Sequence, residues 1–295
     1  MKIGIDLGGT KTEAILIENN GKELFRKRIQ TEKNYDGTIH GILSLIREIE
    51  NNFQIVSSIG IGMPGIVSKY TSLVKNANSV WLNGKPLKKD LDNILGKNIK
   101  IENDANCFAL SEAVDGAGEN YNTVFGVIIG TGTGGGIVFN KKIFQGINQI
   151  GGEWGHTPLP NRNDNEKKFA KKCFCGLEGC METYVSGPGF ATIFNNKNNE
   201  NFDSHQIIKE FNEGSQRSKL GLETYVDNLA RGLSNVVNIL DPDVIVLGGG
   251  MSNVNYIYQN INECLAKYVV SDTFHTKVIK NKHGDSSGVR GAAWL

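Results

Sequence analysis

Three sets of residues in this sequence have the types and spacing to do chemistry. The stretch Asp6-Leu7-Gly8-Gly9-Thr10-Lys11 gathers an acid, two adjacent glycines, a hydroxyl and an ammonium. Paired glycines let the backbone take positive φ and approach a ligand with no Cβ in the way. Exposed N–H groups, Thr10 and Lys11 then face one spot, which is how a loop holds phosphate oxygens. Asp6, at the strand end just before the turn, stands where Mg²⁺ on those phosphates needs an oxygen partner. Alone, the same string also makes an ordinary Gly-Gly hairpin turn. Asn103-Asp104 stops one segment abruptly and opens another. Either residue can cap a helix N-terminus. An acid at the carboxyl end of an α/β strand can equally act as a general base. Cys173-x-Cys175-x₄-Cys180 with nearby His156 offers three thiolates and an imidazole, a tetrahedral set suited to Zn²⁺. Gly176 and Gly179 let the chain fold round an ion. The alternatives are three free thiols in a reactive loop and a histidine that is simply packed.

These side chains need strands and helices to hold them. Residues 1–18 and 23–30 read as strands joined at Asn19-Asn20-Gly21, a hairpin signal. Ile39, Ile42, Leu43, Ile46 and Ile49 give 38–51 a helical period. A buried-type strand over 56–63 ends at Pro64-Gly65. The polar segment 74–83 suits a ligand-lining loop or a plain surface loop. A helix over 87–95, a strand over 99–102 and a helix over 105–114 follow. Asp115-Gly116-Ala117-Gly118 reads as the hinge between domains.

The strand 123–129 runs into Gly130-Thr131-Gly132-Thr133-Gly134-Gly135-Gly136 and then a strand over 137–140. The string contains G-x-G-x-x-G, but no helix follows it, and no lysine follows the glycines. It is therefore neither a dinucleotide fingerprint nor a Walker loop. What remains is a strand, a glycine turn and a strand, the design already met at Asp6–Thr12. Two such hairpins indicate a duplicated fold whose halves grip one polyphosphate. Further on, 161–172 is a polar, lysine-rich loop or lid. Ser186-Gly187-Pro188-Gly189 is a turn beside a helix, and 195–203 is an Asn-rich connector. A helix spans 223–240, and a core strand over 243–247 ends in Gly248-Gly249-Gly250. A helix over 254–268, a strand over 277–279 and a helix over 287–295 complete the chain. Cys107 and Cys264 fall on helices and read as buried small hydrophobes.

A chain of 295 residues suits two domains with a cleft between them. Its 32 basic and 31 acidic residues leave a net charge of +1, so no global field favours nucleic acid or an anionic membrane. No apolar run reaches the roughly 20 residues of a membrane span. The first residues form a strand rather than a signal core, so a cytoplasmic location is expected. Of 5 cysteines, three crowd together, which in a reducing compartment points to metal rather than disulfides.

Several of these motifs, in order along the whole chain, resemble the ROK family of sugar kinases, nearest its bacterial fructokinase (manno(fructo)kinase) branch. They are Ile5–Lys11, Asn103-Asp104-Ala105-Asn106, Gly130-Thr131-Gly132, Glu153-x-Gly155-His156, Cys173 to Glu182, and Leu247-Gly248-Gly249-Gly250. VKNANSVWLNG at 74–84, EWGHTPLP at 153–160, DPDVIVLGGGMSNV at 241–254 and HGDSSGVRGAAWL at 283–295 carry the nearer likeness. The helix-turn-helix of the family's repressors is not seen ahead of the first strand.

The resemblance implies an actin/hexokinase-like (ribonuclease H-like) α/β fold of two domains, 1–115 and 116–284, with the active cleft between them. The helix over 285–295 is expected to pack back on the first domain. It implies ATP and Mg²⁺, with Asp104 as catalytic base. Nucleotide contacts carry over to Gly8, Gly9, Thr10, Lys11, Thr131, Gly132, Pro188 and Gly249, with Asp6 at the metal. Sugar contacts carry over to Gly65, Asn78, Asn103, Asp104, Glu153, His156 and Glu182. A structural Zn²⁺ carries over to His156, Cys173, Cys175 and Cys180, with the two histidine nitrogens shared between metal and sugar. The family also suggests a homodimer. Fructose is the expected hexose, with glucose, mannose or an N-acetylhexosamine as alternatives. Two rivals are a non-catalytic sugar sensor on the same fold and an actin-type assembly ATPase. ATPase measurements with and without hexose separate all three.

Overall fold

The computed structural model describes residues 1–53, 57–168 and 170–295. The start of the strand expected at Val56 and the Phe169 position of the expected lid lie outside the described residues. Chain order in the first half is β1 (Lys2–Leu7), β2 (Lys11–Ile17), β3 (Glu23–Gln30), α1 (Tyr35–Asn52), β4 (Ser58–Met63), β5 (Ile66–Val67), β6 (Val74–Lys75), α2 (Leu87–Leu95), β7 (Lys100–Asn103) and α3 (Asp104–Val114). The second half continues with β8 (Thr123–Ile129), β9 (Thr133–Phe139), β10 (Lys142–Ile143), α4 (Asp164–Lys168), α5 (Glu182–Val185), α6 (Gly187–Asn198) and α7 (Ser204–Asn212). It ends with α8 (Gln216–Leu240), β11 (Val244–Gly248), α9 (Asn255–Ala266), β12 (Lys277–Lys280) and α10 (Ser287–Trp294).

The two halves repeat one sheet. The first has the order β3-β2-β1-β4-β7, the second β10-β9-β8-β11-β12. In each, three antiparallel strands are extended by two parallel ones. The apolar alternation explains the strands: Ile3, Ile5 and Leu7 are fully buried. The helical period explains α1, whose Ile39, Ile42, Leu43, Ile46 and Ile49 are buried and whose Asn34 side chain caps Gly37 N–H at 2.7 Å. A glycine at positive φ, Gly21 (+83°), closes the β2–β3 connection as its sequence signal requires.

Helices are exchanged between the halves. Phe108, Ala109, Leu110 and Ala113 of α3 share a core with Val124 and Val138 of the second sheet. Val289 and Ala293 of α10 pack on Ile15 and Ile17 of the first. Where α10 crosses α3, a Cβ on Gly291 would fall 1.7 Å from Cys107 O, so only glycine allows the crossing. No helix among the described residues is long and apolar enough to cross a membrane.

Several sequence expectations are corrected. The second glycine run is not one long turn: the strand starts at Thr133, and Gly134–Gly136 pair with Gly126–Ile128 inside the sheet. A Cβ on Gly136 would lie 2.8 Å from Ala105 O, so these glycines let α3 lie directly on β9. Helix α8 begins at Gln216 rather than 223, capped by Ser215. The expected connector 195–203 is helical as far as Asn198. Helix α7 went unforeseen, although its Asp203–Gln206 capping box is visible in the sequence. The expected lid contains the short helix α4. Cys107 is buried as expected, whereas Cys264 is only half-buried.

Candidate active site

The first glycine turn, residues 8–10, joins β1 to β2. Gly8 N–H donates to Lys11 O (3.1 Å), Thr31 N–H to Thr10 O (2.9 Å) and Thr31 Oγ1 to Gly8 O (2.9 Å). Thr10 and Lys11 are exposed at its tip, and Ser79 Oγ lies 3.4 Å from where a Gly9 Cβ would be. Asp6 ends up half-buried behind the turn. Burial, then the charges of Asp104 and Glu13, outweigh Arg28 and push its carboxyl up to about 7. A carboxylate so raised is one that a bound cation would relieve.

The second turn, residues 130–132, is supported from a distance. Gly187 N–H donates to Gly130 O (2.8 Å), which brings the N-terminus of α6, with Pro188 in its first turn, beside Thr131 and Gly132. Gly249 (φ +79°) closes the other side: a Cβ there would lie 2.7 Å from Ile129 O. Thus the segments that carry Thr131, Gly132, Pro188 and Gly249 come together around Gly130.

Asp104 stands at the first position of α3, directly after β7. Asn103 is the cap: its Oδ1 accepts from Ala105 N–H (2.9 Å) and Asn106 N–H (3.4 Å). Asp104 Oδ1 shares the Ala105 N–H at 2.9 Å. Burial raises the Asp104 carboxyl, against hydrogen bonds from Ala105 N–H and Asn103 that would lower it. Asn103 Nδ2 also approaches Gly65 O at 3.4 Å. Gly65 (φ +106°) touches Ala77, and the Asn83 side chain clamps Ala77 through both its N–H and its C=O, leaving Asn78 exposed. Gly65, Asn103 and Asp104 therefore share one wall, with Asn78 carried on the loop beside them.

Glu153, His156 and Glu182 form a second wall. Burial raises the Glu153 carboxyl; His156 opposes this, and the charges of Asp104 and Glu182 add to it. The carboxyls of both walls therefore act on one another. Glu182 Oε2 accepts from Thr133 N–H at 3.0 Å, tying this wall to the second glycine turn. His156 divides its nitrogens: Nε2 lies 3.9 Å from Glu153, and Nδ1 lies 3.5 Å from Cys173 Sγ.

The ligand atoms of His156, Cys173, Cys175 and Cys180 all lie within 4.8 Å of one another. Cys175 and Cys180 sulfurs are 3.6 Å apart. Bond lengths of about 2.0–2.3 Å imply tetrahedral edges of about 3.5–3.8 Å, so the donor set fits Zn²⁺. Gly176 (φ +93°) and Gly179 (φ +75°) make the tight turns that gather the sulfurs. Burial and the neighbouring sulfurs push the Cys180 thiol up to about 12, a cost that a dication would remove.

Two groups beside this site were not found from the sequence. Thr133 offers its backbone N–H to Glu182, which no side-chain pattern can reveal. Glu102, next to Asn103, is a buried acid. An acid at the end of a predicted strand was the one available signal.

Two α/β halves with the same sheet order, each with a glycine turn in the same hairpin, define a protein of the actin/hexokinase-like fold. Residues 2–295 match the ROK family, and the chain belongs to it. It is 38% identical over 301 residues to the N-acetyl-D-glucosamine kinase of Vibrio atlanticus (strain LGP32), covering 100% of this chain and 99% of that one. The N-acetyl-D-glucosamine kinase of Escherichia coli O127:H6 is 37% identical over 300 residues, with the same coverage of 100% and 99%. Among solved structures, a ROK hexokinase from Thermus thermophilus superposes with TM-score 0.88 at 25% identity, covering 100% of this chain and 97% of that one. A ROK family glucokinase from Streptomyces griseus, in complex with glucose and AMPPNP, gives TM-score 0.79 at 25% identity, covering 99% and 97%.

Proposed function

We propose that this chain is an ATP-dependent sugar kinase whose acceptor is an N-acetylated hexose, N-acetyl-D-glucosamine first among them. The observation that carries the reading is Asp104: a carboxyl raised by burial, at the start of α3, whose charge acts both on Asp6 before the first glycine turn and on Glu153. Relatives 37–38% identical along their length, named as N-acetyl-D-glucosamine kinases, favour that sugar over the fructose expected from the sequence.

Phosphoryl transfer asks mainly for positioning and charge neutralisation. The Asp104 carboxylate takes the proton of the sugar's 6-hydroxyl as that oxygen attacks the γ-phosphorus. The bond to the β,γ-bridging oxygen breaks, and ADP leaves. A raised pKa makes Asp104 a better proton acceptor near neutral pH, and such help is worth about 10²–10⁴-fold. Backbone N–H groups of turns 8–10 and 130–132, with Lys11, hold the phosphates. Asp6 would hold Mg²⁺, which when bound neutralises phosphate charge. Glu153, His156 and Glu182 grip ring hydroxyls, with Gly65, Asn78 and Asn103 opposite. His156, Cys173, Cys175 and Cys180 would hold a structural Zn²⁺ that stiffens this wall. A homodimer and a cytoplasmic location belong to the same reading.

The test is steady-state phosphorylation of a hexose panel. N-acetyl-D-glucosamine should give the highest kcat/KM, ahead of N-acetylmannosamine, glucose, mannose and fructose. A higher kcat/KM for fructose would return the assignment to the fructokinase branch. ATP hydrolysis that ignores every sugar would sink the kinase reading itself.

A further inference from the structure

Glu102 is an acid without a task in the mechanism above. It lies on β7 next to Asn103-Asp104, at 4% exposure. A buried carboxylate persists where its oxygens are hydrogen-bonded. Here the two oxygens have different partners. Oε1 accepts from Asn103 N–H (2.8 Å) and Asn106 Nδ2 (2.9 Å). Both donors belong to the cap and first turn of α3, the turn that presents Asp104. Oε2 accepts from Nε2 of Gln145, just past β10 in the other half. One carboxyl group therefore joins the end of β7 and the start of α3 to the segment that follows β10.

Gln145 opens a strap. Gly151 N–H closes back on Gln145 O at 3.0 Å. Gln149 then meets the first half a second time: its Oε1 accepts from Lys69 N–H (3.0 Å) and its Nε2 donates to Val67 O (3.2 Å). Glu153, on the sugar wall, follows immediately in the chain.

We propose that Glu102 is a positioning residue for the transfer. One oxygen sets Asp104 through Asn103 and Asn106, and the other sets the strap that leads to Glu153. Base and sugar wall are thereby fixed together. This rests on the reading of Asp104 as base and Glu153 as sugar contact. The bonds matter here rather than the charge. A glutamine at 102 keeps an acceptor at Oε1, and the Gln145 amide can turn over to receive the new N–H.

Kinetics of Glu102→Ala, Glu102→Gln, Gln145→Ala and Asp104→Asn, each with a melting temperature, test this. Glu102→Ala should lose about 100-fold in kcat, the effect of a base misplaced by roughly 1 Å, with KM for ATP near wild type. Gln145→Ala should raise the sugar KM about tenfold, as one lost hydrogen bond to a charged group does, again sparing ATP. Glu102→Gln should return close to wild type in both. A merely structural role would lower the melting temperature without separating sugar from ATP. An unchanged sugar KM in Gln145→Ala, a folded Glu102→Ala with normal kcat, or equal impairment of Glu102→Gln and Glu102→Ala each overturns the proposal. Should Glu102→Ala not fold, Gln145→Ala decides alone, since Gln145 is a half-buried loop residue. Normal turnover in Asp104→Asn would instead remove the base assignment. An inactive Asp104→Asn beside a wild-type-like Gln145→Ala removes only the role given to Glu102.

Discussion

The two glycine turns occupy equivalent places in sheets of the same order, yet they are equipped in opposite ways. Turn 8–10 carries its own charge: Asp6 precedes it, Lys11 follows it, and Thr31, just past the end of β3, braces it. Turn 130–132 has no ionisable residue on either of its strands, β8 and β9. Its support is borrowed from Glu182 on α5, the start of α6 and Gly249. A duplicated scaffold has thus divided its work. One copy has charged residues at its own ends, and the other is an uncharged turn held in place by distant elements. Glu182 gives the second turn a further link, because its Oε1 lies 3.6 Å from Cys173 Sγ. Cys173, Glu182 and the glycine turn are consecutive neighbours there.

The largest expected effect belongs to Asp104, the proposed base. Asp104→Asn should cut kcat by about 10²–10⁴-fold while leaving nucleotide and sugar binding nearly intact. In the wild type the base works only when deprotonated. The rate should therefore fall as pH drops, and burial moves that limb above the usual carboxylate range of about 4. A pH profile of kcat/KM with its acid limb at or below the ordinary value would contradict the assignment.

Breaking the first turn comes next. Asp6→Asn should cost roughly tenfold to a hundredfold in turnover and raise the Mg²⁺ needed for half-maximal rate, as losing one partner of a metal does. Magnesium titrations of the two proteins measure it. An unchanged magnesium requirement would leave Asp6 a purely structural acid.

Breaking the support of the second turn should look different. Chelation of the His156/Cys173/Cys175/Cys180 site should raise the sugar KM about tenfold before KM for ATP moves, since outer supports of a site are worth that much. Metal content and binding isotherms on the chelated, still-folded protein check this. Normal sugar binding without metal would separate the cluster from the wall.

The smallest effect belongs to the joint between the halves. Burial would raise the Asp115 carboxyl, but hydrogen bonds from His283 and Arg290 overcome it and hold it below its ordinary value. Its contribution to stability is therefore present above the unfolded-state pKa and is lost as pH falls through the lowered folded value. Asp115→Asn should destabilise by about 1–2 kcal/mol near neutral pH, and the difference from wild type should shrink in acid. Melting curves across that range would show parallel behaviour at every pH if the ion pair contributed nothing.

What the sequence made legible was local. The glycine turn after Asp6, the Asn103-Asp104 stop and the cysteine spacing each place their donors within a few residues, so the pattern carries the geometry. The duplicated sheet was legible because the same hairpin recurs. Gly134–Gly136 misled, because glycines read as a turn when only the string is seen. They are strand residues that give α3 room, and that need arises in tertiary packing. Glu102 and Gln145 were illegible for the same reason. A glutamate at a strand end and a glutamine in a loop look like ordinary surface residues until the two halves come together. Helix α7 is the exception, since its Asp203–Gln206 capping box is local and legible even beside an Asn-rich stretch.

The exchange of α3 and α10 also bears on how the molecule is made. The first sheet emerges early in synthesis, but the wall that covers Ile15 and Ile17 is Val289 and Ala293. Until those late residues leave the ribosome, one face of the opening domain has nothing of its own to lie against. Loss of the last helix by a nonsense mutation would be felt most in the part of the protein translated first.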